Sequence, residues 1–203
     1  ITVNVTNVND NTPSITSSST FSAAENQISI GTVTATDADG DTLTYSLSGI
    51  DASSMTIGSS SGALAFSNAP DYETKSSYSA TITASDGTNS STQNITVSIT
   101  DVDDVAPVFT SSATFSAAEN QTSIGTVTAT DVDSSSISFS ISGSELSMTS
   151  SGVLSFASAP DYETKTSYSA TVTASDGTNS STQNITVSIT DVDDVAPVFT
   201  SSA

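Results

Sequence analysis

Residues 78–109 read YSATITASDGTNSSTQNITVSITDVDDVAPVF, and this stretch decides the fold class. On both sides of the SDGTNS cluster, apolar residues alternate with serine and threonine, as at Ile95, Val97 and Ile99. A period of two predicts β-strands that bury one face, and clusters of Gly, Asn, Asp and Ser predict the turns between strands. The stretch therefore predicts a hairpin of two half-buried strands, followed by a segment with three aspartates and a proline.

The chain contains two copies of one unit. The segment DYETKSSYSATITASDGTNSSTQNITVSITDVDDVAPVFTSSA begins at Asp71, and its counterpart begins at Asp161 and differs at only two positions. Upstream, FSAAENQISIGTVTATDADG at Phe21 matches FSAAENQTSIGTVTATDVDS at Phe115, and the first copy is four residues longer in between. A period near 90 residues is too long for a solenoid repeat and indicates tandem globular domains.

The same alignment predicts the domain boundaries. The opening ITVNVTNVNDNTP aligns with ITVSITDVDDVAP at residues 95–107, so the chain is expected to begin with the last strand of a preceding unit. We therefore expect a piece of a longer array that contains the end of a preceding repeat (1–10), repeat 1 (11–104), repeat 2 (105–194) and the start of a following repeat (195–203).

Each unit contains about seven predicted strands. In the first unit the candidates are GTVTAT, TLTYSLS, ALAF, YSATITAS and NITVSIT, and no window has helical spacing. Such short alternating strands in roughly 90 residues predict an all-β fold of two tandem seven-stranded, Greek-key, immunoglobulin-like β-sandwiches. The predicted core of the first sandwich consists of the apolar residues on the inward positions: Val33, Leu43, Tyr45, Leu47, Leu64, Phe66, Tyr78, Ile82, Ile95, Val97 and Ile99.

The charge of the chain restricts its partners. It carries 22 acidic residues and 2 basic ones, for a formal net charge of −20, and it has no cysteine and no histidine. Such a surface repels nucleic-acid phosphates and anionic lipids and attracts cations. Disulfides, zinc sites built on cysteine or histidine, and a histidine general base are excluded. No stretch approaches the ~18 consecutive apolar residues of a membrane-spanning helix, so we expect neither nucleic-acid binding nor membrane insertion.

The acidic residues lie at the ends of the predicted strands. In the first unit they occur in AEN, DAD, DYE, SDG and DVDD, and the second unit repeats the set. Acids that serve only as turn formers or solvated surface groups would not need to recur together in one ordered set. The recurrence therefore indicates a shared function of these motifs.

These motifs resemble those of cadherin repeats. The pattern of that family contains a glutamate–asparagine pair, a DxD, a DRE-like triplet, a late DxG-type aspartate and the linker DxNDNxPxF. Here AEN, DAD or DVD, DYE, SDG and DVDDVAPVF follow in the same order, and the first linker, NVNDNTPSI, keeps NDN. The resemblance covers essentially the whole chain and implies three calcium ions at each junction between consecutive repeats. Carboxylates and carbonyls supply the six to eight oxygens that Ca²⁺ requires.

By motif, the resemblance implies a ligand set for the complete junction. It takes carboxylates from both repeats and carboxylates or carbonyls from the linker: Glu25, Asp71, Glu73, Asp101, Val102, Asp103, Asp104, Val105, Asp131, Asp133 and Asp176. Three Ca²⁺ would neutralise most of this charge and fix the angle between the repeats, whereas repulsion without metal would keep the linker mobile. Asp103 and Val105 occupy positions where the family has asparagine, so one adds a charge and the other offers only its carbonyl.

Partial calcium sites are implied at both ends of the chain. The N-terminal edge would hold one ion with five residues of the opening linker and repeat 1: Asn9, Asn11, Asp37, Asp39 and Asp86. The C-terminal edge would hold one or two ions with acids of repeat 2: Glu119, Asp161, Glu163, Asp191 and Asp194.

Two other interpretations of the acids are weaker. The segment DADGD at residues 37–41 looks like the start of an EF-hand loop, but the sixth position is Thr42 and the twelfth is Ser48 instead of glycine and glutamate. Paired carboxylates also serve glycoside hydrolysis, but the chain has no tryptophan to stack a sugar, and the same acids occur in both units. We therefore expect no enzymatic activity.

Resemblance and composition together predict a mechanical function. Near-identical copies, the absence of cysteine and the acidic, Ser/Thr-rich composition are similar to the repeat region of large bacterial surface adhesins of the RTX type. We expect an extracellular, cell-surface, monomeric stalk whose neighbouring repeats are rigidified by calcium and which supports adhesion or biofilm formation. The alternative is a binding module that contacts like domains or glycans directly. The absence of tryptophan argues against the strand-swapped dimers of animal cadherins.

Overall fold

The computed structural model describes residues 1–134 and 136–199. The chain forms two compact units that divide between Val102 and Asp103. Each unit is an immunoglobulin-like β-sandwich, and the described residues contain no α-helix. The prediction of two tandem all-β domains is confirmed.

Unit 1 contains nine strand segments, two of which come from the single predicted strand GTVTAT. In chain order they are β1 (Ser14–Ile15), β2 (Thr20–Ala24), β3 (Ser29–Thr32), β4 (Ala35–Thr36), β5 (Thr44–Ser48), β6 (Met55–Ile57), β7 (Ala63–Phe66), β8 (Ser77–Ser85) and β9 (Ser90–Thr100). One turn of 3₁₀-helix, Ala52–Ser54, precedes β6.

The strands of unit 1 form two main sheets. A four-stranded sheet has the order β2-β9-β8-β5, a three-stranded sheet has the order β3-β7-β6, and β1 pairs with β4. The pairing of β2 with β9 is parallel, whereas the other pairs are antiparallel. The predicted strand GTVTAT is divided between β3 and β4 because β3 pairs with β7 and β4 pairs with β1.

The core lies between the two main sheets, where alternate residues of each strand point inward. Ile82 and Val97 are fully buried, and the Phe66 ring contacts the Tyr78 ring edge-on with centroids 5.0 Å apart. All predicted core residues belong to this cluster except Leu43, which precedes β5. The sequence prediction missed Met55, because β6 is too short to show an alternating pattern.

Unit 2 repeats this arrangement. Its strands are β10 (Val108–Phe109), β11 (Thr114–Ala118), β12 (Ser123–Thr126), β13 (Ala129–Thr130), β14 (Ser138–Ile141), β15 (Leu146–Met148), β16 (Val153–Phe156), β17 (Ser167–Ser175) and β18 (Ser180–Thr190). They form the sheets β11-β18-β17-β14 and β12-β16-β15 and the pair β10-β13, with their own core.

The opening segment lies outside both sheets of unit 1, so its assignment to a preceding repeat stays a prediction. Residues 1–10 form no strand, although ITVNVT has the same alternation as the end of β9. The central strand β9 pairs with β2 on one side and β8 on the other, whereas the first ten residues pair with no strand among the described residues. Alternation alone therefore does not make this segment a strand.

Candidate metal centres at the ends of each unit

The parallel pairing of β2 with β9 brings two acids together at one end of unit 1. Ala24 lies opposite Thr100 in this register, so the next residues, Glu25 and Asp101, leave the sheet side by side. The Glu25 side chain is buried, and its carboxylate accepts hydrogen bonds from the backbone N–H groups of Tyr72 and Val102, each at 2.8 Å. These bonds hold a buried carboxylate beside the start of the linker.

The DYE motif precedes β8 at the same end. Asp71 caps its own turn, because both carboxylate oxygens accept hydrogen bonds from Thr74, each at 3.0 Å. A hydrogen bond from its own backbone N–H favours the charged form of Glu73. Partial desolvation of the carboxylate and the charges of Glu25, Asp101 and Asp71 outweigh that bond, so the pKa of Glu73 is raised. We call this set, Glu25, Asp71, Glu73 and Asp101, the C-terminal acid cluster of unit 1.

The opposite end of unit 1 is organised by the β1–β4 pair. Its antiparallel register, with Ser14 opposite Thr36, continues beyond the strands and brings Asn11 opposite Asp39. The backbone N–H of Asn11 donates to Asp39 Oδ2, and its side-chain amide donates to Asp39 Oδ1, both at 2.8 Å. These two bonds, assisted by the N–H of Asp10, hold the pKa of Asp39 below its ordinary value.

Three aspartates meet in the DADGD loop after β4. One carboxylate oxygen from each of Asp37, Asp39 and Asp41 lies within 4.8 Å of the others. The Oδ2 atoms of Asp37 and Asp41 are buried and receive no hydrogen bond. Burial is the main reason why the pKa of Asp41 is raised, and the charges of Asp37, Asp39 and Asp86 add to the effect.

Asp86 joins this cluster from the turn between β8 and β9. Burial alone would raise its pKa, but the backbone N–H groups of Asn89 and Thr88 donate to its carboxylate and hold the pKa below the ordinary value. The side-chain amide of Asn89 also donates to Asn9 Oδ1 and to the Asn11 carbonyl, each at 3.1 Å. We call this set the N-terminal acid cluster of unit 1: Asn9, Asp10, Asn11, Asp37, Asp39, Asp41 and Asp86.

About 30 Å separates the two clusters, since the nine-residue strand β8 runs from one to the other at about 3.3 Å per residue. Asp71 and Glu73 precede that strand, and Asp86 follows it. The sandwich therefore presents one acidic set at each end and keeps them too far apart to share an ion.

The N-terminal acid cluster of unit 2 follows the same register. Val108 lies opposite Thr130, which brings Val105 opposite Asp133, and the N–H groups of Asp104 and Val105 donate to Asp133 Oδ2 at 2.9 and 2.8 Å. The linker residue Asp103 is also held, because the Thr178 hydroxyl donates to its Oδ2 at 3.0 Å. The cluster consists of Asp103, Asp104, Asp131, Asp133 and Asp176.

Asp131 and Asp133 are two carboxyl groups in direct interaction. Asp131 Oδ2 and Asp133 Oδ1 are buried and receive no hydrogen bond from a donor of the protein. The direct side-chain interaction between the two carboxyl groups raises the pKa of Asp131 and lowers the pKa of Asp133. The backbone N–H groups of Val105 and Asp104 further stabilise the charge of Asp133. A cation bound between the two carboxylates would relieve their mutual repulsion.

The C-terminal acid cluster of unit 2 repeats that of unit 1. Glu119 is buried and accepts hydrogen bonds from the N–H groups of Tyr162 and Val192. One oxygen from each of Glu119, Asp161 and Glu163 lies within 4.8 Å of the others. A hydrogen bond from its own N–H favours the charged form of Glu163, but partial desolvation and neighbouring negative charges raise its pKa. The remaining members are Asp191 and Asp194, and the Asn120 side chain donates to Asp194 Oδ2 at 2.6 Å.

No lysine neutralises these clusters. The chain contains only two basic residues, and both are engaged elsewhere. Lys75 Nζ lies 2.5 Å from Asp51 Oδ1, and Lys165 Nζ lies 2.5 Å from Glu145 Oε1. Each ammonium group also lies over a tyrosine ring. The acid clusters therefore have to obtain their counter-charge from outside the chain.

The donor set fits a hard divalent cation. Among the described residues, eight buried side-chain polar atoms lack a hydrogen-bond partner, and five of them are carboxylate oxygens of the two N-terminal acid clusters: Asp37, Asp41, Asp131, Asp133 and Asp176. Buried carboxylates are costly unless they are paired or bind metal. Ca²⁺ takes six to eight oxygens at 2.3–2.6 Å in flexible geometry, which suits these converging carboxylates and carbonyls.

The structure places the predicted acidic and asparagine ligands in the four clusters, with Val102 and Val105 in the linker, and it brings further residues beside them. Asp41 was not among the predicted ligands, although the third acid of DADGD was a visible signal. Asn89 and Asn179 were also missed, and each donates its side-chain amide to the linker beside it. The N–H groups of Val102 and Val105, rather than only their carbonyls, position acids of the clusters.

Tandem β-sandwiches with acids gathered at their ends define a class of repeat domain, and the comparisons with known proteins identify the family. Residues 19–100 and 113–190 match the family model of the cadherin domain. The chain belongs to the cadherin domain family. Cadherin repeats are modules of cell-adhesion proteins and bind Ca²⁺ at their interdomain linkers.

Similar proteins support the same assignment. Mouse cadherin EGF LAG seven-pass G-type receptor 2 is 34% identical over 226 aligned positions, covering 100% of this chain and 8% of that protein. Human protocadherin-15 is 33% identical over 183 aligned positions, which cover 83% of this chain and 9% of that protein. The chain thus spans less than a tenth of the length of these two relatives. No helix in the described residues is long and apolar enough to cross a membrane.

Solved structures share the architecture. The crystal structure of mouse cadherin-23 EC22-24 superposes with a TM-score of 0.78 and 25% identity, covering 91% of this chain and 68% of that one. Human protocadherin-24 EC1-2 has a TM-score of 0.76 at 22% identity, covers 91% of this chain and 100% of that one, and shows the likeness of fold alone.

Proposed function

We propose that this chain is a pair of calcium-rigidified extender repeats of a cell-surface adhesion protein. The observation that carries the proposal is the set of buried carboxylate oxygens without hydrogen-bond partners in the acid clusters. With a net charge of −20 and both lysines engaged elsewhere, the protein has no internal cation for them. Calcium supplies that charge, and the role of the metal is structural rather than catalytic.

The covalent linker supports an ion-binding junction. Asp101 belongs to the C-terminal acid cluster of unit 1, whereas Asp103 and Asp104 belong to the N-terminal acid cluster of unit 2, and only Val102 separates them in the sequence. An ion bound by these linker acids would be connected to each unit by only a few residues of the chain. We propose about three Ca²⁺ at this linker, with the ligand set implied by the cadherin motifs, and partial sites at the two outer clusters.

Composition supports a more specific setting. Two nearly identical repeats without cysteine, rich in Ser, Thr and Asp, fit a long array in a bacterial surface adhesin that holds a binding domain away from the cell. The named relatives are animal proteins, so this setting rests on composition alone. Recovering the parent gene with its flanking sequence tests it, and a eukaryotic parent with a seven-helix or single-span receptor region would contradict it.

Calcium should stabilise the folded chain strongly. A ligand that binds only the folded state at about 100-fold above its Kd adds about 2.7 kcal/mol per site. Several coupled ions would then contribute as much as the intrinsic stability of a small domain, about 5–15 kcal/mol. Removal of metal should therefore lower the melting temperature by many degrees.

Small-angle X-ray scattering and thermal melting, in EDTA and in millimolar CaCl₂, test the proposal. We expect calcium to narrow the distribution of interdomain distances and to raise the melting temperature. Asp104→Asn should weaken both effects, because Asp104 lies in the linker, whereas Glu145→Gln removes an exposed acid outside the clusters and should leave them unchanged. If neither the scattering profile nor the melting temperature of the wild-type chain changes with calcium, the proposal of a calcium-rigidified stalk is refuted.

A second candidate function, direct contact with other molecules, rests on the outer face of the four-stranded sheets. In a protein of net charge −20, the outward strand residues of β5, β8 and β9 are all serine, threonine or asparagine. A shallow cleft on this face is lined by residues that include Ile50, Thr81 and Asn94. Sedimentation equilibrium in calcium at high protein concentration separates the candidates: a dimer favours the contact surface, whereas a monomer favours the stalk.

A further inference from the structure

The two N-terminal acid clusters are built from different linkers. The linker of unit 1 is NVNDN at residues 7–11, whereas that of unit 2 is DVDDV at residues 101–105. Asn9 in the first linker aligns with Asp103 in the second, so the first linker brings one carboxylate fewer to its cluster. In unit 2 the Asp103 carboxylate lies within the cluster, where Thr178 and Asn179 donate to it.

The DADGD loop of unit 1 carries an acid that unit 2 lacks. Asp41 aligns with position 135, which is a serine and lies outside the described residues. With Asp41 included, the N-terminal cluster of unit 1 contains five carboxylates: Asp10, Asp37, Asp39, Asp41 and Asp86. The cluster of unit 2 also contains five: Asp103, Asp104, Asp131, Asp133 and Asp176. The number of charges is therefore kept although the linkers differ.

The local geometry turns Asp41 into its cluster. Gly40 has a φ of +80°, which is favourable for glycine, and it reverses the chain directly after Asp39. The backbone N–H of Asp41 then lies 3.4 Å from Asp37 Oδ1. Asp41 Oδ2 is buried without a hydrogen-bond partner, as is Asp37 Oδ2, and the two carboxylates and that of Asp39 converge to within 4.8 Å. A solvated surface acid would instead place both oxygens in water.

We propose that Asp41 is a calcium ligand of the N-terminal acid cluster of unit 1, where it supplies the carboxylate that Asn9 does not. This inference rests on the proposed calcium function and assigns a residue outside the cadherin motif pattern. Its physical basis is that calcium affinity depends on the number of charged ligands and on the rigidity of the site. In the N-terminal acid cluster of unit 1 the fifth carboxylate comes from the loop residue Asp41, whereas in that of unit 2 it comes from the linker residue Asp103.

The test is a calcium titration of the full chain followed by ¹⁵N-NMR. The Gly40 amide reports on the N-terminal cluster of unit 1, and the Asp133 amide reports on that of unit 2. We expect Asp41→Asn to weaken calcium binding at Gly40 about tenfold, which corresponds to about 1.4 kcal/mol, with no change at Asp133. Adding Asn9→Asp to this variant should restore most of the lost affinity, because a linker carboxylate then replaces the loop carboxylate.

A melt in EDTA provides the second readout. Without metal, Asp41→Asn removes one of several repelling charges, so its melting temperature should equal or exceed that of the wild type, while its gain on adding calcium is smaller. If Asp41→Asn titrates like the wild type at Gly40, or if it is less stable in EDTA and Asn9→Asp restores nothing, Asp41 has only a structural role and the inference is wrong. If the wild-type chain shows no calcium response at either amide, the proposed function itself fails.

Discussion

Asp51 in unit 1 and Glu145 in unit 2 bind the equivalent lysines at different depths. Asp51 is 9% exposed, accepts a hydrogen bond from the Ser79 N–H at 2.8 Å and contacts Lys75. The hydrogen bond from Lys75, followed by that from Ser79, holds the pKa of Asp51 below its ordinary 3.8. Glu145 is more than half exposed, so its bond to Lys165 is screened by water. The shorter acid of unit 1 therefore has the greater structural importance.

Asp51→Asn should lower the free energy of unfolding of unit 1 by about 1–3 kcal/mol at pH 7, because a buried charged acceptor is lost. A lowered folded-state pKa contributes stability above the unfolded value of 3.8 and loses it as the pH falls through the folded value. The variant and the wild type should therefore converge as the pH falls below 3.8. Urea unfolding at pH 7 and at acidic pH, followed by unit 1 resonances, measures this difference.

Glu145→Gln is the matched control, since it removes the equivalent ion pair at an exposed position. We expect it to change the stability of unit 2 by less than about 1 kcal/mol. Equal losses of unfolding free energy for the two variants would show that burial does not determine how much this ion pair contributes to stability.

At the scale of the elements, the turn between β6 and β7 fixes the position of the neighbouring segment. Gly62 has a φ of +67°, and its carbonyl accepts a hydrogen bond from the Val33 N–H at 2.8 Å. A Cβ added at Gly62 would lie 2.1 Å from the Val33 carbonyl oxygen. This close approach joins the turn to the segment between β3 and β4, where the chain changes its pairing partner.

Gly62→Ala should destabilise unit 1 by at least about 2 kcal/mol, because the substitution adds backbone strain and a clash with backbone. Gly87→Ala is the control, since Gly87 also has a positive φ but a Cβ there would meet nothing within 4 Å. It should cost about 1 kcal/mol from strain alone. Chemical denaturation of the two variants in the same buffer compares their free energies of unfolding. Equal losses would mean that the close contact between Gly62 and Val33 does not add to the cost of the substitution.

At the scale of the whole molecule, the charge of −20 opposes the folded state when metal is removed. Salt shortens the Debye length from about 30 Å at 0.01 M to about 3 Å at 1 M. In EDTA, raising the salt concentration over this range should therefore raise the melting temperature, and saturating calcium should reduce this salt effect. Choline chloride in place of NaCl separates screening from sodium binding. A melting temperature in EDTA that is independent of both salts would contradict the role of repulsion.

Much of the fold can be read from local pattern. The alternation in residues 78–100 predicts β8, β9 and the turn between them, and the structure contains all three. Shorter strands such as β6 are invisible to such a pattern, because three residues do not establish a period. Leu43 was placed in the core as part of the predicted strand TLTYSLS, but β5 begins one residue later, at Thr44, and Leu43 does not belong to the core cluster.

The sequence alone determined that this protein consists of two copies of one sandwich with acids at the strand ends. Strand periodicity is a local property of the chain, and the repeat is visible when the sequence is aligned with itself. Only the tertiary structure decided which acids meet. Glu25 lies beside Asp101 because β2 pairs with β9 in parallel, and Asn11 meets Asp39 because the β1–β4 register continues beyond the strands. Pairings between residues so distant along the chain depend on the packing of both sheets, which no local pattern encodes.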